Sequence, residues 1–341
     1  MLRVLVSLGR SIKGALGRNR CVQLLAHRHP AGSRFLADRV DRSHFHGLPL
    51  TLLVLAFAYV LALFAGIVED VLTADPIVAL DHATAQLIAA FRTPPVVSAL
   101  LWITSLGEPR VVGALFATAC LVLWLTNRKY AIAGLLISSL GSAVFVTLGK
   151  LAFQRPRPVE AVLLESSYSF PSGHATIAVA FYGFLGYVLI RSATRWKMRV
   201  NVFFATGALV FLIGLSRIGL GVHYLSDVWA GYLVGALWLI VGISLTEWLS
   251  ASGRLAWGGV ITRRRRAVVV GLVVAALAGF IAYAATRSLP ADVPAHPRSS
   301  RVYSGNIELP SLPRRPIILQ GLERFTVQCK PPGWPAQVIR A

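Results

Sequence analysis

Ser216-Arg217-Ile218-Gly219-Leu220-Gly221-Val222-His223-Tyr224-Leu225-Ser226-Asp227 sets an arginine, a histidine and an aspartate between two long apolar runs. The chain of 341 residues is 55% hydrophobic and only 14% charged, with a mean hydropathy of +0.65. Such runs read as membrane spans, and charged residues where one span ends and the next begins need a reason. Asp227 follows His223 by four positions, so a helix starting near His223 puts both side chains on one face, one turn apart. A carboxylate there can hold one imidazole nitrogen and leave the other free to act. Gly219 and Gly221 interrupt the apolar periodicity and let the backbone turn back, bringing the Arg217 guanidinium towards the imidazole. The trio suits a phosphate. The bland alternative for this stretch alone is an interfacial arginine, a histidine satisfied by its own aspartate and a glycine hinge.

Outward from this stretch, apolar runs at 48–68, 111–126, 130–148, 175–190, 200–215, 228–245 and 267–286 predict seven spans and an all-α, multi-pass transmembrane helical bundle. The segment 76–91 mixes apolar residues with Asp81, His82 and Gln86 and reads as a helix lying at the interface. Residues 1–48 carry many arginines against Asp38 and Asp41, and basic residues recur at Arg128 and Lys129, in the loop from Arg191 to Arg199, and over Arg254 and Arg263 to Arg266. The positive-inside rule makes these segments cytoplasmic. Residues 1–48 are then a basic cytoplasmic tail, with 2–25 able to form an amphipathic helix on anionic lipid, and 49–247 a six-helix core. Residues 248–266 form a basic loop, 267–286 the seventh span, and 287–341 an extracytoplasmic tail rich in proline and arginine. The first span is expected to serve as the targeting signal, no secretory signal being evident.

The net charge of +20 raises nucleic acid as a partner. The basic residues lie in tails and short loops, without a continuous surface or an aromatic reading motif, so nucleic acid is excluded and lipid headgroups explain the charge. Cys21, Cys120 and Cys329 are too scattered for a disulfide framework or a metal site. No cofactor is expected.

Two more polar clusters fall on the same face as the opening stretch. Lys150-Leu151-Ala152-Phe153-Gln154-Arg155-Pro156-Arg157-Pro158 ends an outward span and gathers cations where the positive-inside trend disfavours them. Pro171-Ser172-Gly173-His174 begins the following inward span, placing the amides of Ser172, Gly173 and His174 at a helix amino terminus, where unpaired N–H groups and the helix dipole favour an anion. Arg217 ends the next outward span, and His223 and Asp227 begin its return. Each cluster alone has a bland reading as a snorkelling lysine with a rigid loop, or as an ordinary turn and helix start. Together, in this order and on one face, they do not.

These residues resemble the type 2 phosphatidic acid phosphatase (PAP2) superfamily, whose motifs are Lys-x6-Arg-Pro, Pro-Ser-Gly-His and Ser-Arg-x5-His-x3-Asp. Here they read Lys150 with Arg157 and Pro158, Pro171 to His174, and Ser216-Arg217 with His223 and Asp227. No motif position departs from the pattern. The resemblance covers 50–247 and implies a membrane phosphatase in which His223 attacks phosphorus, Asp227 orients it and His174 protonates the leaving oxygen. It further implies that Lys150, Arg157, Arg217, Ser172 and the amide of Gly173 hold the phosphoryl oxygens. From the residues themselves, three cations and a helix amino terminus supply that charge without a metal, and Arg155 reads as an auxiliary phosphate contact. Phosphoryl transfer needs an in-line nucleophile and preorganised positive charge, which this set supplies. The expected partners are membrane lipids and a lipid phosphate or diphosphate substrate, undecaprenyl diphosphate first. Phosphatidic acid, phosphatidylglycerol phosphate and a lipid A phosphate are the alternatives. The expected place is a bacterial-type cytoplasmic membrane with the site at its outer face. A lipid phosphotransferase would use the same residues. A transporter or scaffold predicts charges along the spans rather than clustered at one end.

Overall fold

The computed structural model describes residues 28, 30–41, 44–73, 76–159, 161–163, 165–255, 257 and 262–286. The expected amphipathic helix in 2–25 and the tail 287–341 lie outside them. Among the described residues every regular element is helical: α1 (Pro30–Val40), α2 (Leu48–Thr73), α3 (Pro76–Ala89), α4 (Pro94–Ser105), α5 (Pro109–Leu125), α6 (Ala131–Phe153), α7 (Gly173–Ser192), α8 (Trp196–Gly219), α9 (Leu225–Ala251) and α10 (Arg263–Ala285).

Six of these, α2 and α6 to α10, are each long and apolar enough to cross a membrane. A seventh crossing exists only if α4 and α5, bent by 42° at a short break, act together. The sequence reading placed the second span at 111–126 and assigned no element between residue 91 and that span, so α4 is an addition to it. The break has a local cause: Pro109 offers no N–H to the turn before it and drives Glu108 into extended backbone, with φ −73° and ψ 140°. A helix is present where one was expected at 76–91, as α3.

The centre of the bundle is α9, which packs mainly on α6, α2 and α7. Its inward face carries Ala230, Gly231, Val234, Gly235 and Gly242, all buried. Small residues let helix backbones approach closely, which lipid-embedded bundles need because lipid tails are as apolar as any side chain. α7 widens into a π-turn over Ala178–Tyr182. The Ala180 carbonyl there accepts a hydrogen bond from Ser138 Oγ of α6 at 2.7 Å, supplying a partner where the helical ladder is disturbed. Below it Leu135, Phe181, Phe184 and Ile213 form the buried apolar core.

The two ends of the bundle differ chemically. At one, Arg191 Nε meets Glu247 Oε1 at 2.7 Å, Arg128 donates to the Trp257 carbonyl at 3.2 Å, and Arg265 donates to Asn127 at 3.1 Å. At the other, the end of α6, the start of α7, the end of α8 and the start of α9 bring all three sequence clusters together.

Candidate active site

Arg217 lies in the last turn of α8 and is 1% exposed. The chain then turns through Gly221, whose φ of +69° is the left-handed conformation that glycine tolerates. This delivers His223 and, one turn into α9, Asp227, both buried. His223 Nδ1 lies 3.5 Å from Asp227 Oδ2, and among the described residues that nitrogen has no hydrogen-bond partner. The carboxylate therefore faces the imidazole but does not grip it as the sequence spacing suggested.

Its grip is elsewhere. Asp227 Oδ2 accepts the Tyr224 N–H at 2.9 Å, capping α9, and Oδ1 accepts from Arg155 Nη1 at 2.6 Å. Arg155 Nη1 also donates to Ser226 Oγ at 2.7 Å and its Nη2 to Asp81 Oδ2 at 2.8 Å, while the guanidinium lies 4.5 Å from the centre of the Tyr224 ring. Burial opposes its charge, but Asp227 and Asp81 outweigh that and hold its pKa above the ordinary arginine value. The sequence suggested Arg155 as an auxiliary phosphate contact. With both terminal nitrogens committed to buried acceptors, it instead fixes Asp227. Asp81, on α3, also accepts from the Ser226 N–H at 2.9 Å. It was legible in the sequence only as one polar residue of an interfacial helix.

Arg157 stands on the other side of the imidazole. Its Nη1 lies 3.3 Å from His223 Nε2 and donates to the Val222 carbonyl at 2.6 Å. A guanidinium only donates, so Nε2 is the lone-pair nitrogen and the ring proton sits on Nδ1, facing Asp227. Burial first, then the positive charges of Arg217, Arg157 and Lys150, hold the His223 pKa well below the ordinary histidine value. The imidazole is thus kept neutral, with its lone pair pointing at cations.

A fourth participant is Glu165, in the loop between α6 and α7. It pairs with Arg157 Nη2 at 2.8 Å and with Arg217 Nη2, and Arg217 Nη1 donates to Thr104 Oγ1 at 2.8 Å. Burial pushes the Glu165 carboxyl up, but Arg217 and Arg157 outweigh it and hold it below the usual range. Lys150 Nζ donates to Ser167 Oγ at 2.8 Å. A carboxylate of the protein therefore already lies between two of the expected phosphate-binding cations.

Ser172 precedes α7, and its N–H donates to the Asp227 carbonyl at 3.0 Å. That amide joins the second cluster to the third, so it is not one of the free amides expected at this helix start. The side chain is different: Ser172 Oγ, His174 Nε2 and Arg217 Nε are all buried and without hydrogen-bond partners among the described residues. His174 is the second residue of α7. Its ring packs against the α4–α5 break, where a Cβ on Gly107 would come within 2.6 Å of His174 Cδ2, so only glycine fits there. A cleft of about 470 Å3 opens between His174, Arg217, Glu165 and Thr104.

Two histidines, three cations and several buried polar atoms without partners gather at one end of a helical bundle with span-length apolar helices, an arrangement able to receive an oxyanion. Comparison points to a family: residues 130–251, the helical core from α6 to α9, match the model of the PAP2 superfamily. Over 86 residues it is 40% identical to phosphatidylglycerophosphatase B of Bacillus subtilis, covering 25% of this chain and 42% of that protein. Over 126 residues it is 32% identical to undecaprenyl-diphosphatase of Sulfolobus acidocaldarius, covering 35% of this chain and 56% of that one. The chain thus spans about half the length of these curated relatives. The crystal structure of the transmembrane PAP2 type phosphatidylglycerolphosphate phosphatase from Bacillus subtilis superposes with a TM-score of 0.51 at 26% identity, covering 58% of this chain and 96% of that one. The matched family residues begin at α6, so Asp81 and all of α10 lie outside them.

Proposed function

We propose that the protein hydrolyses a lipid phosphate or diphosphate through a phosphohistidine on His223, at the extracytoplasmic face of the membrane. The observation that carries this reading is the set of buried, unpartnered Ser172 Oγ, His174 Nε2 and Arg217 Nε beside a neutral imidazole whose lone-pair nitrogen faces Arg157. Buried polar atoms are normally satisfied, and a phosphoryl group offers oxygens to all of them at once.

His223 Nε2 attacks phosphorus and its N–P bond forms as the bond to the leaving oxygen breaks. His174 gives that oxygen its proton, and the resulting neutral His174 then takes one from the water that cleaves the N–P bond. Lys150, Arg157 and Arg217, with Ser172 and the Gly173 N–H, neutralise the equatorial oxygens. Asp227 stabilises the positive charge that His223 acquires. The substrate class rests on the site's position at the ends of the spans, at headgroup depth, and on the relatives named above. Undecaprenyl diphosphate is the first candidate, and the phosphatidylglycerol phosphate named for the relatives from Bacillus subtilis is the second.

Purified protein assayed against both lipids, phosphatidic acid and a lipid A phosphate is expected to release phosphate in EDTA, because protein cations supply the charge neutralisation. Activity lost on chelation and restored by a divalent metal would defeat the mechanism. Transfer of label to an added alcohol rather than to water would move the protein to the phosphotransferases.

Glu165 adds a second expectation. Incoming phosphate must displace its carboxylate from Arg157 and Arg217, so Glu165→Gln, which keeps an acceptor but removes the charge, should tighten competitive inhibition by inorganic phosphate. A gain of roughly tenfold corresponds to one charged hydrogen bond of about 1.5 kcal/mol no longer competing. Unchanged or weaker inhibition would mean that Glu165 does not occupy the phosphate position.

A further inference from the structure

The last helix, α10, contributes nothing to the chemistry above, yet its carboxyl end reaches the site. Tyr283 near that end donates to Glu108 Oε2 at 2.5 Å and lines the cleft that also contains His174 and Arg217. A second cleft, of about 290 Å3, begins at the same two mouth residues, Arg110 and Tyr283, and runs between α5 and α10. Along α5 its wall includes Arg110, Ala114 and Thr118, and along α10 Tyr283, Gly279 and Ala275. Both sets recur every four residues, so each wall is one helix face, about 12 Å long at about 1.5 Å per residue. Three of these six are alanine or glycine, and a Cβ built on Gly279 would meet nothing within 4 Å.

We propose that this groove seats the hydrocarbon tail of the lipid phosphate whose head occupies the Arg217–His174 cleft, so that α10 selects the substrate by its tail. The inference rests on the phosphatase reading and extends it to a helix outside the residues that match the family. A cleft that sets Arg110, Arg217 and His174 beside Glu108 and Glu165, continuous with an apolar groove, is complementary to a single amphiphile whose anionic head displaces Glu165 from Arg217 and whose other end is hydrocarbon. The order is right along the axis: Arg110 marks the mouth at headgroup level, and the groove beyond it runs towards the membrane interior. A protein helix is about 10 Å across and does not enter a cleft of about 290 Å3. Moving a tail from bilayer to groove gains little from the hydrophobic effect, since both are apolar, so selection comes from packing and shape.

The test has one arm that needs no turnover. An alkyl phosphonate with a photoreactive group at mid-tail is bound to the full-length protein in detergent–lipid micelles and photolysed, and the labelled peptides are mapped. Label should fall on α5 and α10 and be competed by unlabelled lipid phosphate but not by an alcohol of the same tail. Label elsewhere, or equal competition by the alcohol, would mark the groove as ordinary lipid-facing surface and overturn the proposal. In the second arm, Gly279→Phe fills the groove and Gly207→Phe, on α8 away from the groove with equally open space, serves as control. The ratio of kcat/KM for long-tailed over short-tailed alkyl phosphates should fall about tenfold in Gly279→Phe and stay unchanged in Gly207→Phe. Equal ratios in both variants and wild type would also overturn it. Failure of wild-type protein to hydrolyse any phosphate, with groove labelling intact, would instead defeat the phosphatase reading alone.

Discussion

His223→Ala is expected to lower lipid phosphate hydrolysis by at least about 10⁴-fold and to abolish the proposed phosphoenzyme, because it removes the proposed nucleophile and leaves the rest of the site standing. Asp227 keeps its bonds to Arg155 and the Tyr224 N–H, and Arg157 keeps the Val222 carbonyl, so the loss is one of chemistry. Rapid quenching with radiolabelled substrate should give wild-type protein an acid-labile, base-stable label on His223. His174→Ala should differ in kind. It should cost about 10²- to 10⁴-fold on an alkyl phosphate, whose leaving oxygen needs a proton, and much less on an activated aryl phosphate. The pH dependence follows from the environment of His223. Attack requires the neutral ring, and burial with three nearby cations holds its pKa well below the ordinary histidine value. As pH falls through about 6.5, the usual value, kcat/KM should therefore stay high, and its acid limb should appear only further down. Inversion of configuration at a chiral phosphorus would indicate direct attack by water and remove the nucleophilic role.

The spans and the three polar clusters were legible because each depends on local order: apolar run length, the position of cations at run ends, and a fixed spacing along the chain. What was not legible depends on contacts across the fold. Arg155 lies in the first motif, and its spacing from Lys150 and Arg157 says nothing of Asp81 and Asp227, its partners across 74 and 72 positions of chain. Glu165 sits in a loop with no periodicity to place it, yet the fold brings it between Arg157 and Arg217. α4 is short and begins Pro94-Pro95 after Thr93, a sequence that reads as a turn until its apolar face is seen packed on α8. The four-residue spacing of His223 and Asp227 brings the two side chains near each other, but α9 starts only at Leu225, so His223 precedes the helix rather than sharing a face with Asp227, and spacing cannot register that the carboxylate's nearest donors are others.

Asp81 carries the second large effect. Its carboxylate, on a side chain with 0% exposure, accepts from Arg155 Nη2 at 2.8 Å, the Ser226 N–H at 2.9 Å and Ser226 Oγ at 2.5 Å. Asp81→Ala strands two buried donors and half of a guanidinium, a loss of about 3–5 kcal/mol, so the variant should unfold at markedly lower temperature in detergent. Asp81→Asn separates structure from chemistry. The amide can still accept one bond, but the charge is gone, and Arg155 then bears on Asp227 alone. That draws the carboxylate's field away from His223, whose Nδ1 lies 3.5 Å from it, and makes the protonated ring less favourable. The sign is then fixed: the acid limb of kcat/KM should move to lower pH, and kcat should fall more than KM changes, since Lys150, Arg157 and Arg217 are untouched. Damage that merely unfolded part of the sample would lower the amount of active protein and leave the limb where it was. An unmoved limb in Asp81→Asn, with activity lost only in proportion to folded protein, would reduce Asp81 to a structural anchor and cut it from the line that runs through Arg155 and Asp227 to the nucleophile.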